Sequence, residues 1–304
     1  MIVLPPLANP RRSIGRRRFD FSRQIVVMGI VNRTADSFYD AGRTLALAAA
    51  VDAALAAAAA GAGWVDIGGV PFSPDAVRVS EAEEIRRVVP VVEAVAAASD
   101  VVISVDTTRA SVAAAGLAAG ASVINDTSGL HDRALGEAVA AAGATLVITH
   151  SLAEPQQHLS RPAYVDVVTE VRDRLAQRVE LALSCGIGEE RIVIDPGHDL
   201  NKNTRHSLEL TRRLDEIAAL GFPLLAAVSN KDFIGEAAGL RKPDRGSASI
   251  AAATVCALQG ARILRMHDVT SAVRAATMVE AILGFREPAH LSHNFHGAAR
   301  SNLD

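Results

Sequence analysis

From Gln24 onward, runs of β-branched and other apolar residues alternate with longer alanine-rich stretches whose apolar positions recur at helical spacing. This alternation predicts parallel strands joined by crossover helices. The runs are IVVMGIVN ending at Asn32, GWVDI around Asp66, VVISVD ending at Asp106, and ASVIND ending at Asn125 and Asp126. TLVITH ending at His150, RIVID ending at Asp195, PLLAAVSNK ending at Lys231 and RILRMH ending at His267 complete the set. Eight successive units in 304 residues predict a closed (β/α)8 TIM barrel, an α/β fold of one domain. The pattern predicts an N-terminal arm over residues 1–19, a barrel over 20–286 and a C-terminal tail over 287–304. Ser80 with Glu83 has capping-box spacing ahead of a helix, and Gly120, Gly143 and Gly221 stand where helices must stop before the next strand. Pro90, inside the helix that follows Ser80, predicts a kink or a break.

The apolar runs end alike. Asn32, Asp106, Asn125, Asp195, Lys231, Arg265 and His267 all lie at or near the C-terminal ends of predicted strands, the face of such a barrel that carries chemistry. A polar strand end can simply cap the next helix, but seven converging on one mouth point to a site. Composition narrows its ligands. A net charge of −3 gives no electrostatic reason to expect nucleic acid or an anionic membrane, so any anion must be bound locally. Cys185 and Cys256 are far apart and predict neither a disulfide framework nor a zinc cluster. No stretch approaches the roughly 18 apolar residues of a membrane span, and the short run after the arginine-rich start reads as a strand rather than an export signal, so a cytoplasmic location is expected.

The motifs MGIVNRTADSFYDAG, DIGG, SVDT, INDTSG, DPG, SNKDFIGE and GARILRMHDV, in this order from Gln24 to about Phe285, resemble those of the dihydropteroate synthases among the pterin-binding barrels. NRTADSFYD, DPGHDLNKNTRH and SNKDFIGE look most like a divergent second copy found in actinobacteria. The resemblance implies condensation of p-aminobenzoate with a dihydropterin diphosphate, release of diphosphate, and a homodimer built on outer helices. It implies pterin contacts from Asp106, Asn125, Asp195 and Lys231, and diphosphate contacts from Arg265, His267 and Asn32, with Asn32 also on a shared Mg2+. Lys231 and Arg265 would be the residues closest to the chemistry. A flat heterocycle with adjacent donors and acceptors suits carboxylates and amides. Departure of diphosphate would leave positive charge on the pterin methylene, which Asp106 and Asp195 could stabilise, so no protein nucleophile is needed. Thr107 and Ser128 are then expected to be turn and cap residues.

The likeness fails at the rim. Where the family's strand-two loop reads Gly-Gly-Glu-Ser-Thr-Arg-Pro-Gly, this chain has Gly-Gly followed by Val70, Pro71, Phe72, Ser73, Pro74 and Asp75. Asn230 replaces an arginine, HDLN from His198 replaces Ile-Gly-Phe-Gly, and Tyr39 and Ala35 replace a serine and a proline, while Phe38 remains. No role for His198 or Asp199 is legible. Two arginines and a glutamate lost, with Asp75 and Asp199 gained, leave the mouth more negative by about three charges. A charge-assisted hydrogen bond is worth roughly 1.5–3 kcal/mol, so losing two predicts a penalty of about 3–6 kcal/mol. Synthase activity is therefore expected to fall on the order of 10² to 10⁴-fold or to be redirected.

Two other functions compete. A non-catalytic pterin-binding or regulatory protein would keep the pocket without turnover. A pterin-dependent methyltransferase would have no diphosphate for Arg265 and His267 to hold. His290, His293 and His296 have a spacing that could gather a metal, but lie beyond the last predicted helix without a supporting carboxylate or cysteine. The small residues of DRGSASIAAATVCALQG would let that helix approach another closely.

Overall fold

The computed structural model describes residues 4–32, 47–70, 79–153, 159, 161–291 and 293. The departures expected at Ala35, Tyr39, Pro71, Phe72, Ser73 and Asp75, the retained Phe38 and Pro74, and the last tail histidine, His296, lie outside them.

Eight parallel strands close into a barrel: β3 (Val26–Asn32), β4 (Trp64–Gly68), β5 (Val102–Asp106), β6 (Val123–Asp126), β7 (Thr145–Thr149), β8 (Ile192–Asp195), β9 (Leu224–Ala226) and β10 (Ala261–Met266). Each pairs with its sequence neighbour, and β10 closes the ring against β3. The connecting helices are α1 (Leu47–Ala59), α2 (Glu81–Ala98), α3 (Ala110–Ala118), α4 (Arg133–Ala141), α5 (Val167–Ser184), α6 (Thr204–Arg212), α7 (Leu214–Ala218), α8 (Asp232–Ala238), α9 (Gly246–Leu258) and α10 (Val269–Ile282). Period-two alternation divides the apolar residues into two cores. Outward positions such as Val65, Ile67, Ile103, Val105, Ile124 and Ile148 pack under the helices. Inward positions such as Met28, Trp64, Val102, Val123, Val147, Val193 and Ile263 fill the barrel's lower half.

The residues before Asp20 are more than a loose segment. Strands β1 (Arg11–Ile14) and β2 (Arg17–Asp20) form an antiparallel hairpin whose Ile14 and Phe19, with Phe21, join the inward core. Phe19 stacks on Phe21 and meets the buried Trp64 edge-on at 6.1 Å. Arg12 and Arg17 donate to the Ile192 and Gly63 carbonyls at the strand starts, so the hairpin closes the floor. Ser80 caps α2 by accepting from the Glu83 amide, and α2 runs unbroken through Pro90, without the expected break. Gly120, Gly143 and Gly221 all adopt positive φ where helices turn into strands, as a C-terminal stop requires.

Candidate active site

The same alternation that fills the floor with apolar side chains ends each strand in a polar one. Going up the inner face, Trp64 is followed by Asp66 and Gly68, Val102 by Ser104 and Asp106, Val123 by Asn125, Val193 by Asp195, and Ile263 by Arg265. Strand register then sets Asn32 beside Gly68, Gly68 beside Asp106, and Asp106 beside Asn125. Gly68 leaves room in this row: a Cβ there would stand 3.3 Å from Asn32 Oδ1 and 3.7 Å from Asp106 Cβ.

Asp66 ties the row together. Its Oδ2 accepts from Asn125 Nδ2 at 2.9 Å and from Arg265 Nε at 2.7 Å, while Arg265 Nη2 donates to Asp106 Oδ2 at 2.9 Å. Asp66 is fully buried, and Asn125 nearly so. Burial pushes the Asp106 carboxyl well above the usual range, against the pull of Arg265 and with the help of Asp66. The Asp195 carboxyl is raised to about 6, again by burial, although the Gly197 amide and Lys231 favour its ionised form. Burial lowers Lys231, with Asp199 the strongest opposing charge. Of the residues expected from sequence, Asp106, Asn125 and Arg265 thus meet in one hydrogen-bonded network. Asn32 adjoins it by register, and Asp195 and Lys231 are joined to it electrostatically. His267 follows β10, where its backbone amide donates to Ser229 Oγ at 3.2 Å.

The HDLN segment after β8 acquires roles the sequence did not disclose. Asp199 and Asn201 adopt φ of 64° and 50°, at the positions where the resembled family has glycines, and Asp and Asn tolerate that region better than most residues. Asp199 Oδ2 accepts from the Asp232 and Phe233 amides at 2.7 and 3.2 Å, capping α8, and Oδ1 accepts from Ser207 Oγ at 2.8 Å. Asn201 accepts from the Leu159 amide and donates to Ser151 Oγ, tying the loop after β8 to the loop after β7. His198 is buried, stacked on Phe233 and bonded through Nε2 to Thr211. Burial drives its pKa down to about 3. Lys202 was not anticipated: its buried Nζ donates to the Gly197 and Leu200 carbonyls and lies 2.9 Å from His150 Nδ1. Burial lowers its pKa to about 7.

Thr107 and Ser128 build turns, as expected. Thr107 donates to the buried Glu84 at 2.6 Å, and Ser128 closes a turn on Asp126. Glu84 also accepts from Arg109 at 2.7 Å, and Arg109 reaches the Val79 carbonyl. Asn230, where the family has an arginine, adopts φ of 58° and bonds Ser249 through its backbone amide. His290 and His293 are exposed, and no group of three or more His, Cys, Asp or Glu that could hold a metal occurs among the described residues.

This geometry can be set beside known proteins. A family profile described as "Pterin binding enzyme" matches residues 28–267, which contain the entire polar row from Asn32 to His267. The chain belongs to the pterin-binding enzyme family. Within that family it is dihydropteroate synthase-like. It is 43% identical over 269 residues to "Inactive dihydropteroate synthase 2" of Mycobacterium tuberculosis (strain ATCC 25618 / H37Rv), covering 86% of this chain and 84% of the relative. It is 39% identical over 261 residues to "Dihydropteroate synthase" of Escherichia coli (strain K12), covering 86% and 93%. Among solved structures, the Xanthomonas albilineans synthase with 4-aminobenzoic acid superposes with a TM-score of 0.83 at 38% identity, over 91% of this chain and 99% of that one. The same organism's synthase in complex with 7,8-dihydropteroate gives 0.80 at 39%, over 90% and 99%. No helix among the described residues of this dihydropteroate synthase-like chain is long and apolar enough to cross a membrane.

Proposed function

We propose that this chain binds a dihydropterin, with or without its diphosphate, at the barrel mouth and catalyses dihydropteroate synthesis weakly or not at all. The observation that carries the reading is the buried network of Asn125, Asp66, Arg265 and Asp106. It supplies amide, carboxylate and guanidinium groups at one level, as a heterocycle edge with adjacent donors and acceptors requires. Asp106, Asn125, Asp195 and Lys231 would hold that edge. Arg265, held inside the row, would sit between the heterocycle and the diphosphate, with Asn32 and His267 completing the diphosphate contacts. If diphosphate leaves, Asp106 and Asp195 would stabilise positive charge on the methylene, and Lys231 and Arg265 would lie closest to the reacting atoms.

Asn32 offers one amide oxygen and no carboxylate cluster adjoins it among the described residues. That suits a Mg2+ arriving with the diphosphate, which commonly keeps several waters and takes few protein ligands, better than a resident metal. A homodimer would use α9 and α10, where Val255, Met278 and Ile282 are exposed. Solution mass measurement should give twice the chain mass. A cytosolic location fits the two unpaired cysteines.

Calorimetry with 6-hydroxymethyl-7,8-dihydropterin and with its diphosphate is the direct test. Binding of both, with little affinity added by the diphosphate, supports the reading. p-Aminobenzoate turnover at ordinary synthase rates would overturn the weak-activity part, and failure to bind either pterin would overturn the whole. Diphosphate release without pterin product would point to another acceptor, and tight binding without release to a regulatory role.

A further inference from the structure

We propose that Asp199 is a specificity-determining residue of the mouth, a fixed negative charge beside Lys231 that turns away acceptors carrying a carboxylate and admits uncharged ones. The inference rests on the pterin-binding reading above and adds the charge class of the second substrate. Three observations carry it. The first is position: Asp199 caps α8 through the amides of Asp232 and Phe233, the two residues that follow Lys231. The second is rigidity, because Ser207 holds the other carboxylate oxygen and the Asp199 backbone amide donates to the same hydroxyl at 3.1 Å. Two residues on, Asn201 fastens the loop to Leu159 and Ser151, so the carboxylate is fixed in place. The third is charge balance. The neighbouring Asp232 is matched by Arg245 at 2.8 Å, whereas the hydrogen bonds to Asp199 come from two backbone amides and a hydroxyl, and the lysines that act on it, Lys231 and Lys202, are themselves buried with lowered pKa values.

The mouth's layout makes this charge matter for the acceptor. Asn32 and His267, the proposed leaving-group contacts, lie at the end of β3 and just after the adjacent β10. The acceptor must reach the pterin methylene, beside which Lys231 is proposed to stand, and Asp199 is bonded to the two residues after Lys231, so the acceptor comes within range of its carboxylate. Like charges several ångströms apart in a partly desolvated mouth repel enough to lower affinity about tenfold.

The test titrates the full-length protein, saturated with 6-hydroxymethyl-7,8-dihydropterin, with p-aminobenzoate and with the uncharged p-aminobenzamide. The unaltered protein should bind the amide more tightly. Asp199→Asn, which keeps an oxygen acceptor for α8, should raise benzoate affinity about tenfold and change benzamide affinity less than twofold. Asp199→Gly, compatible with the positive φ, should shift selectivity in the same direction. Equal affinity of the unaltered protein for the two probes, binding of neither, or an equal response of both to Asp199→Asn would overturn the proposal. Failure of the pterin itself to bind would instead overturn the functional reading on which it rests.

Discussion

Asp66 is the residue on which the pocket's internal order depends. Its carboxylate is the shared acceptor for Asn125 and Arg265, and it is fully buried. Asp66→Ala would leave a buried guanidinium and a buried amide without that partner, and removing one member of a buried pair costs about 3–5 kcal/mol. Urea unfolding should show that loss, with pterin binding lost alongside it. Lys202 makes a pH prediction. Its pKa falls from 10.5 unfolded to about 7 folded, so between these values the unfolded chain binds the extra proton. Stability should therefore rise with pH across that window, by at most about 1.4 kcal/mol per pH unit. Lys202→Met should flatten the rise in urea midpoints; Lys231, also lowered, contributes in the same direction. These two residues also mark what the sequence conceals. Asp106, Asn125, Asp195 and Arg265 were legible because a strand's period of two carries an inward apolar residue to an inward polar one. Asp66 obeys the same rule two positions after Trp64, but it lies inside its apolar run and not at the end of it. Lys202 and Asp199 lie in irregular backbone, where no period announces which side chain turns inward.

At the scale of elements, α2 reaches beyond packing into the site. Glu84 takes a hydrogen bond from Thr107, the residue after Asp106, and pairs with Arg109, which in turn holds the Val79 carbonyl. On the other side, Arg87, paired with Glu83, donates to the Gly69 carbonyl. Both described ends of the strand-two loop are thereby fastened to α2. Glu84→Gln should cost about 1–3 kcal/mol, since Arg109 is partly solvated and loses a charge-assisted bond rather than all its contacts. Denaturant titration would measure that cost, and calorimetry should show weaker pterin binding because a neutral amide holds Thr107, and with it the turn beside Asp106, less firmly. The floor hairpin was harder to read than α2. Five arginines between Arg11 and Arg18, with one glycine, obscure an alternation in which Arg12, Ile14 and Phe19 are the buried positions. Arg12 and Arg17 are explained by where they end, on carbonyls at the strand starts, and that is a property of the closed barrel.

For the whole molecule, the decisive contrast is between a pocket built into strands and a rim built from loops. Strand register fixes the pocket, and a change there disturbs the barrel itself, as the coupling of Asp66 to two neighbouring side chains illustrates. Loop residues can change without that penalty, which explains how a complete polar row can coexist with a rim lacking the Thr-Arg pair and carrying Asn230 in place of an arginine. Two electrostatic effects are combined in the charge count of the mouth. Asp199 lies against α8 beside Lys231, whereas the lost cations concern the diphosphate. Restoring the loop pair with Phe72→Thr and Ser73→Arg should therefore improve diphosphate handling without changing the preference for an uncharged acceptor. One recovered charge-assisted bond is worth roughly 1.5–3 kcal/mol, so p-aminobenzoate condensation should rise on the order of 10 to 10²-fold. The Asn230 position would keep it below ordinary synthase rates. Combining the loop pair with Asp199→Asn should give a further gain for p-aminobenzoate alone, because one change supplies a cation for the diphosphate and the other removes a charge facing the acceptor, and their free energies should add. Initial-rate assays of the single and combined variants with charged and uncharged arylamines would read this directly; a combined variant no better than the loop pair would mean that the rim's cations and Asp199 act on the same step.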